Sequence, residues 1–228
     1  MAALLSAAPN AFGATVKVND AAGGAGQTID VSVTLQPETG ESVAGTQNDF
    51  FFDTNVFTVA ATGEGKPDCS VNPEINKRID GSLTFGFGFL KKGSGESEGV
   101  ACNATTETCN GVRAIVLSTD NVDPISLPLL YTCKVTIKPG TAVGEYPLAN
   151  EKVILSDPAG QRLGSVVVQG GTVTVQGGGT TCACDCNGDG RVTGGEITRC
   201  VSILGRVAEL STCTAADSNK AGNVSSGD

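Results

Sequence analysis

A mainly β fold, an antiparallel β-sandwich or jelly roll followed by a small C-terminal loop-and-helix module, is what this 228-residue sequence predicts. Three observations carry the prediction. Short runs rich in β-branched and aromatic residues recur between residues 14 and 176, with Gly, Pro, Asn and Asp between them, as in strands and turns of two packed sheets. No sustained helical period interrupts these runs. Beyond a glycine-rich break, a short stretch sets oxygen-bearing side chains at alternate places around a glycine, and a helical apolar period follows it.

In chain order, residues 1–13 (MAALLSAAPNAFG) read either as the tail of a secretion signal or as a retained apolar arm, because a basic start and a full-length apolar region are both lacking. Strands are expected at 15–18, 27–35, 49–52, 57–60, 82–89, 112–118, 129–137, 145–148, 152–155, 164–168 and 172–175. The clearest is Gln27-Thr28-Ile29-Asp30-Val31-Ser32-Val33-Thr34-Leu35, which alternates apolar and polar residues as a strand with one buried face does. The glycines of Gly23-Gly24-Ala25-Gly26 read as a turn. Residues 177–181 form a flexible linker, and residues 182–228 a separate module. There, Ile197, Cys200, Val201 and Leu204 fall at helical spacing, with Gly205 at the stop position. This predicts a helix with an apolar stripe.

Composition excludes several classes of function. A net charge of −9 leaves no basic stripe for phosphates, so nucleic acid is not a partner. No apolar run approaches the roughly 20 residues that a membrane-spanning helix needs. The chain has no histidine, which removes the commonest general base and every nucleophile pair built on one. No pair of carboxylates stands out for acid–base work, so the chain is expected not to be an enzyme.

Nine cysteines point to an oxidising compartment. Cys102 and Cys109 bracket a polar insertion suited to a local disulfide, and Cys69 and Cys133 are candidates to join two strands, although spacing does not fix connectivity. A metal or iron–sulfur site is the other use of Cys182-x-Cys184-x-Cys186, with a spacing tighter than C-x-x-C. Asn103 and Asn223 lie in N-x-S/T sequons.

The stretch Asp185-Cys186-Asn187-Gly188-Asp189-Gly190-Arg191-Val192-Thr193-Gly194-Gly195-Glu196 has the pattern of a Ca²⁺ loop. Asp185, Asn187, Asp189, Thr193 and Glu196 supply side-chain oxygens, and Arg191 supplies its backbone carbonyl. Gly190 stands where the loop turns sharply, and a hard cation needs roughly six to eight oxygens converging there. The pattern returns from Asp217 to Asp228, with Asn219, Asn223, Ser225 and Asp228 in register as donors. This copy is weaker, since Ala221 replaces the fifth-place carboxylate and Asp228 is shorter than the usual Glu.

Two such loops, with the opening Cys182-Ala183-Cys184-Asp185-Cys186-Asn187-Gly188-Asp189-Gly190 and with Cys213 before the second, resemble the dockerin-like repeats of secreted bacterial surface proteins. The resemblance implies Ca²⁺-dependent folding and docking onto a cohesin-type partner. Residues 14–176 in turn resemble a cohesin module. The resemblance rests on the order of an opening strand, the Gly23–Gly26 turn, Phe50-Phe51-Phe52-Asp53-Thr54-Asn55-Val56-Phe57, Leu129-Leu130-Tyr131-Thr132-Cys133-Lys134-Val135-Thr136-Ile137, Gly144-Glu145-Tyr146-Pro147-Leu148 and Gly170-Gly171-Thr172-Val173-Thr174-Val175.

A receptor-like sandwich and a plug-like module on one chain imply a secreted, extracellular connector at the cell surface. Its partners would be copies of itself or other cohesin- and dockerin-type surface proteins, and head-to-tail contacts of this kind build open filaments. A retained N-terminal arm would offer a second route, by strand addition to a neighbour. The alternative is a carbohydrate-binding or adhesion module stabilised by Ca²⁺. The absence of Trp, with Tyr131 and Tyr146 the only tyrosines, weighs against a sugar-stacking platform.

Overall fold

The computed structural model describes residues 13–79, 82–83, 85–176, 184–186 and 192–204. The expected N-terminal arm (except Gly13) and the 177–181 linker lie outside them. The strands in chain order are β1 (Ala14–Val18), β2 (Ala21–Gly24), β3 (Thr28–Gln36), β4 (Gly45–Phe51), β5 (Phe57–Val59), β6 (Cys69–Val71), β7 (Arg78–Ile79), β8 (Ser82–Leu83), β9 (Phe85–Lys91), β10 (Val100–Ala101), β11 (Gly111–Val116), β12 (Leu129–Ile137), β13 (Gly144–Ser156), β14 (Val166–Gln169) and β15 (Gly171–Gln176), followed by helix α1 (Gly194–Leu204).

Two sheets hold most of them. The first runs β14-β1-β3-β12, with β5 and β6 sharing the far edge of β12, and the second runs β10-β9-β11-β4-β13-β15-β2. The period-two pattern explains the core. Val16 and Val18 on β1, Val31, Val33 and Leu35 on β3, Phe50 on β4, Val112 and Val116 on β11, and Val173 and Val175 on β15 are all buried. Each contributes about 1.5–3 kcal/mol by leaving water. A register shift between Leu129 and Tyr131 on β12 is the β-bulge that lets consecutive residues, Leu130 and Tyr131, both turn inward.

The two sheets are also joined by a buried polar chain. The Tyr131 hydroxyl donates to Asn48 Oδ1 at 2.9 Å, and Asn48 Nδ2 donates to Asn150 Oδ1 at 3.0 Å. Asn150 Nδ2 then donates to the carbonyls of Val16 (2.9 Å) and Gln169 (3.1 Å). The chain therefore starts in the first sheet, crosses to β4 and β13 of the second, and returns to β1 and β14. Buried donors and acceptors that are mutually satisfied fix one alignment of the sheets, because any slip leaves them unpaired.

Three features correct the sequence-based expectation. The sandwich is not wholly antiparallel: β1 pairs with β14, and β15 with β2, in parallel. The expected strands at 145–148 and 152–155 are one strand, β13, whose register against β4 shifts between Glu151 and Ile154. Lys152 sits there with φ 48°, a left-handed conformation that few non-glycine residues adopt. Finally, β2 replaces the expected turn at Gly23 and Gly24. A Cβ on Gly23 would lie 2.5 Å from Ile29 Cγ2 and 3.2 Å from Ile137 Cδ1, so only glycine lets the strand approach that closely.

Disulfides Cys69–Cys133 and Cys102–Cys109 form as the sequence suggested, the first joining directly opposed residues of β6 and β12.

Candidate interaction site

The outer face of the second sheet is built from three rows that the strand register lines up. One row is Leu90, Gly111, Phe51 and Ala149, the next is Gly88, Arg113, Asp49 and Glu151, and the third is Gly86, Ile115, Gln47 and Ile154. Each row runs across β9, β11, β4 and β13.

The first row is apolar and, apart from the exposed Ala149, covered. Phe51 and Leu90 are buried although they point away from the core, because the segment after β9 folds back over them. A Cβ on Gly99 would lie 2.8 Å from Phe51 Cζ, and one on Gly111 would collide with the same ring. Lys92 Nζ lies 5.1 Å above the Phe51 ring and 2.5 Å from Glu151 Oε2, while Lys152 pairs with Glu98. The hydrogen bond from Lys152 holds the Glu98 carboxyl below its ordinary range.

The second row is ionic. Arg113 grips Asp49 with two bonds, Nε to Oδ1 at 2.7 Å and Nη2 to Oδ2 at 2.6 Å. The Asp49 side chain is wholly buried while that of Arg113 is 35 % exposed, so the pair shields its own carboxylate and presents a cation edge to water. The hydrogen bond to Asp49 raises the Arg113 pKa above its already high value. The sequence places both Asp49 and Arg113 in expected strands but assigns neither to a site; Arg113, a charge within the otherwise apolar run from Val112 to Val116, was the available signal.

The third row is open. Ile154 is 37 % exposed, Gly86 is exposed, and a Cβ on neighbouring Gly88 would meet nothing within 4 Å. A flat strip with apolar side chains on one flank and a fixed Asp49–Arg113 pair on the other is suited to a protein surface rather than to a small molecule.

At the C-terminal end, the structure places Asp185, Thr193 and Glu196 of the expected Ca²⁺ donors. Asn187, Asp189, Arg191, Asp217, Asn219, Asn223, Ser225 and Asp228 lie outside the described residues. Glu196 Oε2 accepts from the Thr193 backbone N–H and hydroxyl, both at 2.8 Å, and Oε1 accepts from Cys186 N at 3.1 Å. Thr193 thus stands at the start of α1 and Glu196 three residues on, the T-x-x-E arrangement of a capping box, a signal not used in the sequence reading. Asp185 and Glu196 are both buried. Their carboxylate oxygens are hard donors of the kind Ca²⁺ takes, so the residue types present fit such a cation.

Cys184 is disulfide-bonded to Cys200, and Cys186 is disulfide-bonded as well, so neither is a thiolate for metal or iron–sulfur ligation. Helix α1 departs from expectation in its faces. Cys200, counted in the apolar stripe, lies with Glu196 and Ile203 on the buried side. Ile197, Val201 and Leu204 are 52, 62 and 51 % exposed, a three-residue apolar stripe facing water. No helix among the described residues is long and apolar enough to cross a membrane.

The cohesin domain family model matches residues 14–106 of this chain, fewer than half of its 228 residues. That family is one of interaction domains without enzymatic activity. No curated protein matches. Among solved structures, a type I cohesin–dockerin complex of Clostridium thermocellum is similar at 12 % identity and TM-score 0.53, covering 75 % of this chain and 98 % of that one. The sixth cohesin of scaffoldin B from Acetivibrio cellulolyticus, solved in complex with a dockerin, is 13 % identical at TM-score 0.52 over 72 % of this chain and 100 % of its own. CaCohA2 of Clostridium acetobutylicum is 18 % identical at TM-score 0.52, over 72 % and 92 % respectively. The two-sheet sandwich described above has the cohesin fold.

Proposed function

We propose that the chain is a secreted, non-enzymatic connector that assembles proteins outside the cell by Ca²⁺-dependent docking, with further copies of itself among its partners. The observation that carries this reading is the cohesin match at residues 14–106, whose structural relatives include cohesins solved in complex with dockerins. The open row of the second sheet is the receptor surface, since it is flat, partly apolar and flanked by a rigid ion pair. The exposed stripe of α1 is the complementary plug. Ca²⁺ orders the loop before that helix through Asp185, Asn187, Asp189, Arg191, Thr193 and Glu196, relieving the mutual repulsion of its three carboxylates. The second loop, from Asp217 to Asp228, binds more weakly for want of a fifth-place carboxylate. The disulfides support an oxidising compartment.

Light scattering after size-exclusion chromatography tests this on the purified chain, with 2 mM-scale Ca²⁺ matched to the roughly millimolar affinities of extracellular loops. Growth to large particles is expected with Ca²⁺ and reversal with chelator, and Val201→Asp abolishes growth while leaving the sandwich folded. A monomer in both conditions sinks self-assembly. Particles that persist in chelator instead transfer the assembly to the N-terminal arm or to interchain disulfides.

A further inference from the structure

The polar insertion between β10 and β11 is closed by Cys102–Cys109, seven residues apart in sequence. Its first turn is tightly bonded: Thr106 N and Glu107 N donate to the Asn103 carbonyl at 3.1 and 2.8 Å. The Asn103 side chain is held from one end only. Its Oδ1 accepts from Thr105 N at 3.0 Å and from Thr105 Oγ1 at 2.7 Å, while its Nδ2 donates to nothing among the described residues. Asn103 is exposed. The contrast with Asn48 and Asn150, whose amide nitrogens are committed inside the sandwich, is complete.

Asn103-Ala104-Thr105 is a sequon. Three requirements of a modified sequon therefore coincide: a solvent-facing amide nitrogen, the hydroxyl two residues on within hydrogen-bond reach of the same amide, and a turn that projects it. We propose that Asn103 is an N-glycosylation site that accepts an oligosaccharide from a lipid diphosphate donor. The bond from Nδ2 to the sugar C1 forms as the C1–O bond to the diphosphate breaks. One amide proton passes to a base of the transferring enzyme, and the lipid diphosphate departs with the electron pair of the broken bond; nothing is oxidised or reduced. In its host this rests on the secreted reading, because the chain must meet the donor outside the cytoplasm.

The position gives the glycan a physical role. Ala104 and Glu107 of this loop, with Phe57, Val59, Phe89 and Lys138, line a groove of 160 Å³ that is part apolar and part charged. A glycan at Asn103 stands on the loop that walls this groove and covers its mouth.

The test uses the full-length oxidised chain, a synthetic lipid-linked oligosaccharide, and a single-subunit oligosaccharyltransferase already shown to modify a peptide of residues 99–110. Intact mass and glycopeptide sequencing are read. One glycan on Asn103 is expected, lost in Asn103→Gln and in Thr105→Val and retained in Asn223→Gln. Absence of transfer to Asn103 in the folded chain overturns the proposal. A glycan confined to Asn223 overturns it equally. Since the reaction is run on purified protein, a failed secreted reading would not alter the result, and the two ideas fail separately.

Discussion

The sandwich and the α1 segment hide opposite kinds of surface. In the sandwich most apolar residues face inward, with Val143 and Ile154 among the exceptions, and the flanks carry ion-paired charges such as Lys92, Glu98, Arg113 and Glu151. In α1 a carboxylate, Glu196, is buried beside Cys200 and Ile203, and Ile197, Val201 and Leu204 face water. A helix so arranged gains little from its own burial. It is held by the Glu196–Thr193 cap at its first turn and by the Cys184–Cys200 disulfide at its middle. The difference indicates that the sandwich is stable by itself, whereas α1 leaves an apolar stripe exposed at a cost in its own stability.

The largest effect is expected at the polar chain joining the sheets. Asn150→Ala removes the acceptor of Asn48 Nδ2 and the donor to the carbonyls of Val16 and Gln169. Each buried group left unsatisfied costs about 1–3 kcal/mol, so a loss of about 4 kcal/mol is expected in a urea titration. The chain has no Trp, and both tyrosines lie in strands of the sandwich, so tyrosine fluorescence reports that unit alone. A loss under about 1 kcal/mol would mean that water replaces the amide without penalty.

Breaking the other region inverts the outcome. Replacing Cys184 and Cys200 together by Ser releases a closure spanning a sequence separation of 16 residues, worth about 3 kcal/mol in the loop-entropy account. That loss is expected locally. Amide hydrogen exchange in α1 should accelerate by about two orders of magnitude, while the urea midpoint of the sandwich stays put. A shift in that midpoint would show that the two regions unfold together, and the comparison would collapse into one cooperative unit.

Sequence made these regions legible to different degrees, for physical reasons. Alternation with period two is unambiguous where one face is buried, and β12 spans the residues 129–137 that the pattern indicated. It fails where a strand has no side chains to alternate: β2, Ala-Ala-Gly-Gly, owes its existence to parallel pairing with β15 and to the space beside Ile29. It fails again at the bulge of β13, because Lys152 at φ 48° breaks the register without a glycine to announce it. In α1 the spacing of Cys200 matched the apolar stripe, yet it stands at the edge of that stripe, where its bond to Cys184 goes with burial. The Asp49–Arg113 row was illegible for a further reason. Those residues are 64 apart and meet only through the register of β4 and β11.

The smallest effect is the most discriminating for the sandwich. Tyr131→Phe keeps the ring, which packs edge-on 5.4 Å from Phe87, and deletes only the hydroxyl that donates to Asn48. At neutral pH the orphaned acceptor costs about 1–2 kcal/mol. The pH profile separates this from a general packing defect. Burial pushes the Tyr131 phenol far above its ordinary value of 10.0, against the smaller opposing effect of its bond to Asn48. An acid whose pKa is raised by folding keeps its proton in the native state after the unfolded state has lost it. Stability is therefore whole below pH 10 and falls as pH climbs beyond it. The loss steepens towards about 1.4 kcal/mol per pH unit for a single group. Urea midpoints at pH 8, 10 and 11 should consequently converge between the wild-type chain and Tyr131→Phe as pH rises, because only the wild-type chain carries this alkaline limb. Parallel curves with a constant offset would mean that the hydroxyl reaches water through the β12 bulge, and that the polar chain joining the sheets is not sealed at its Tyr131 end.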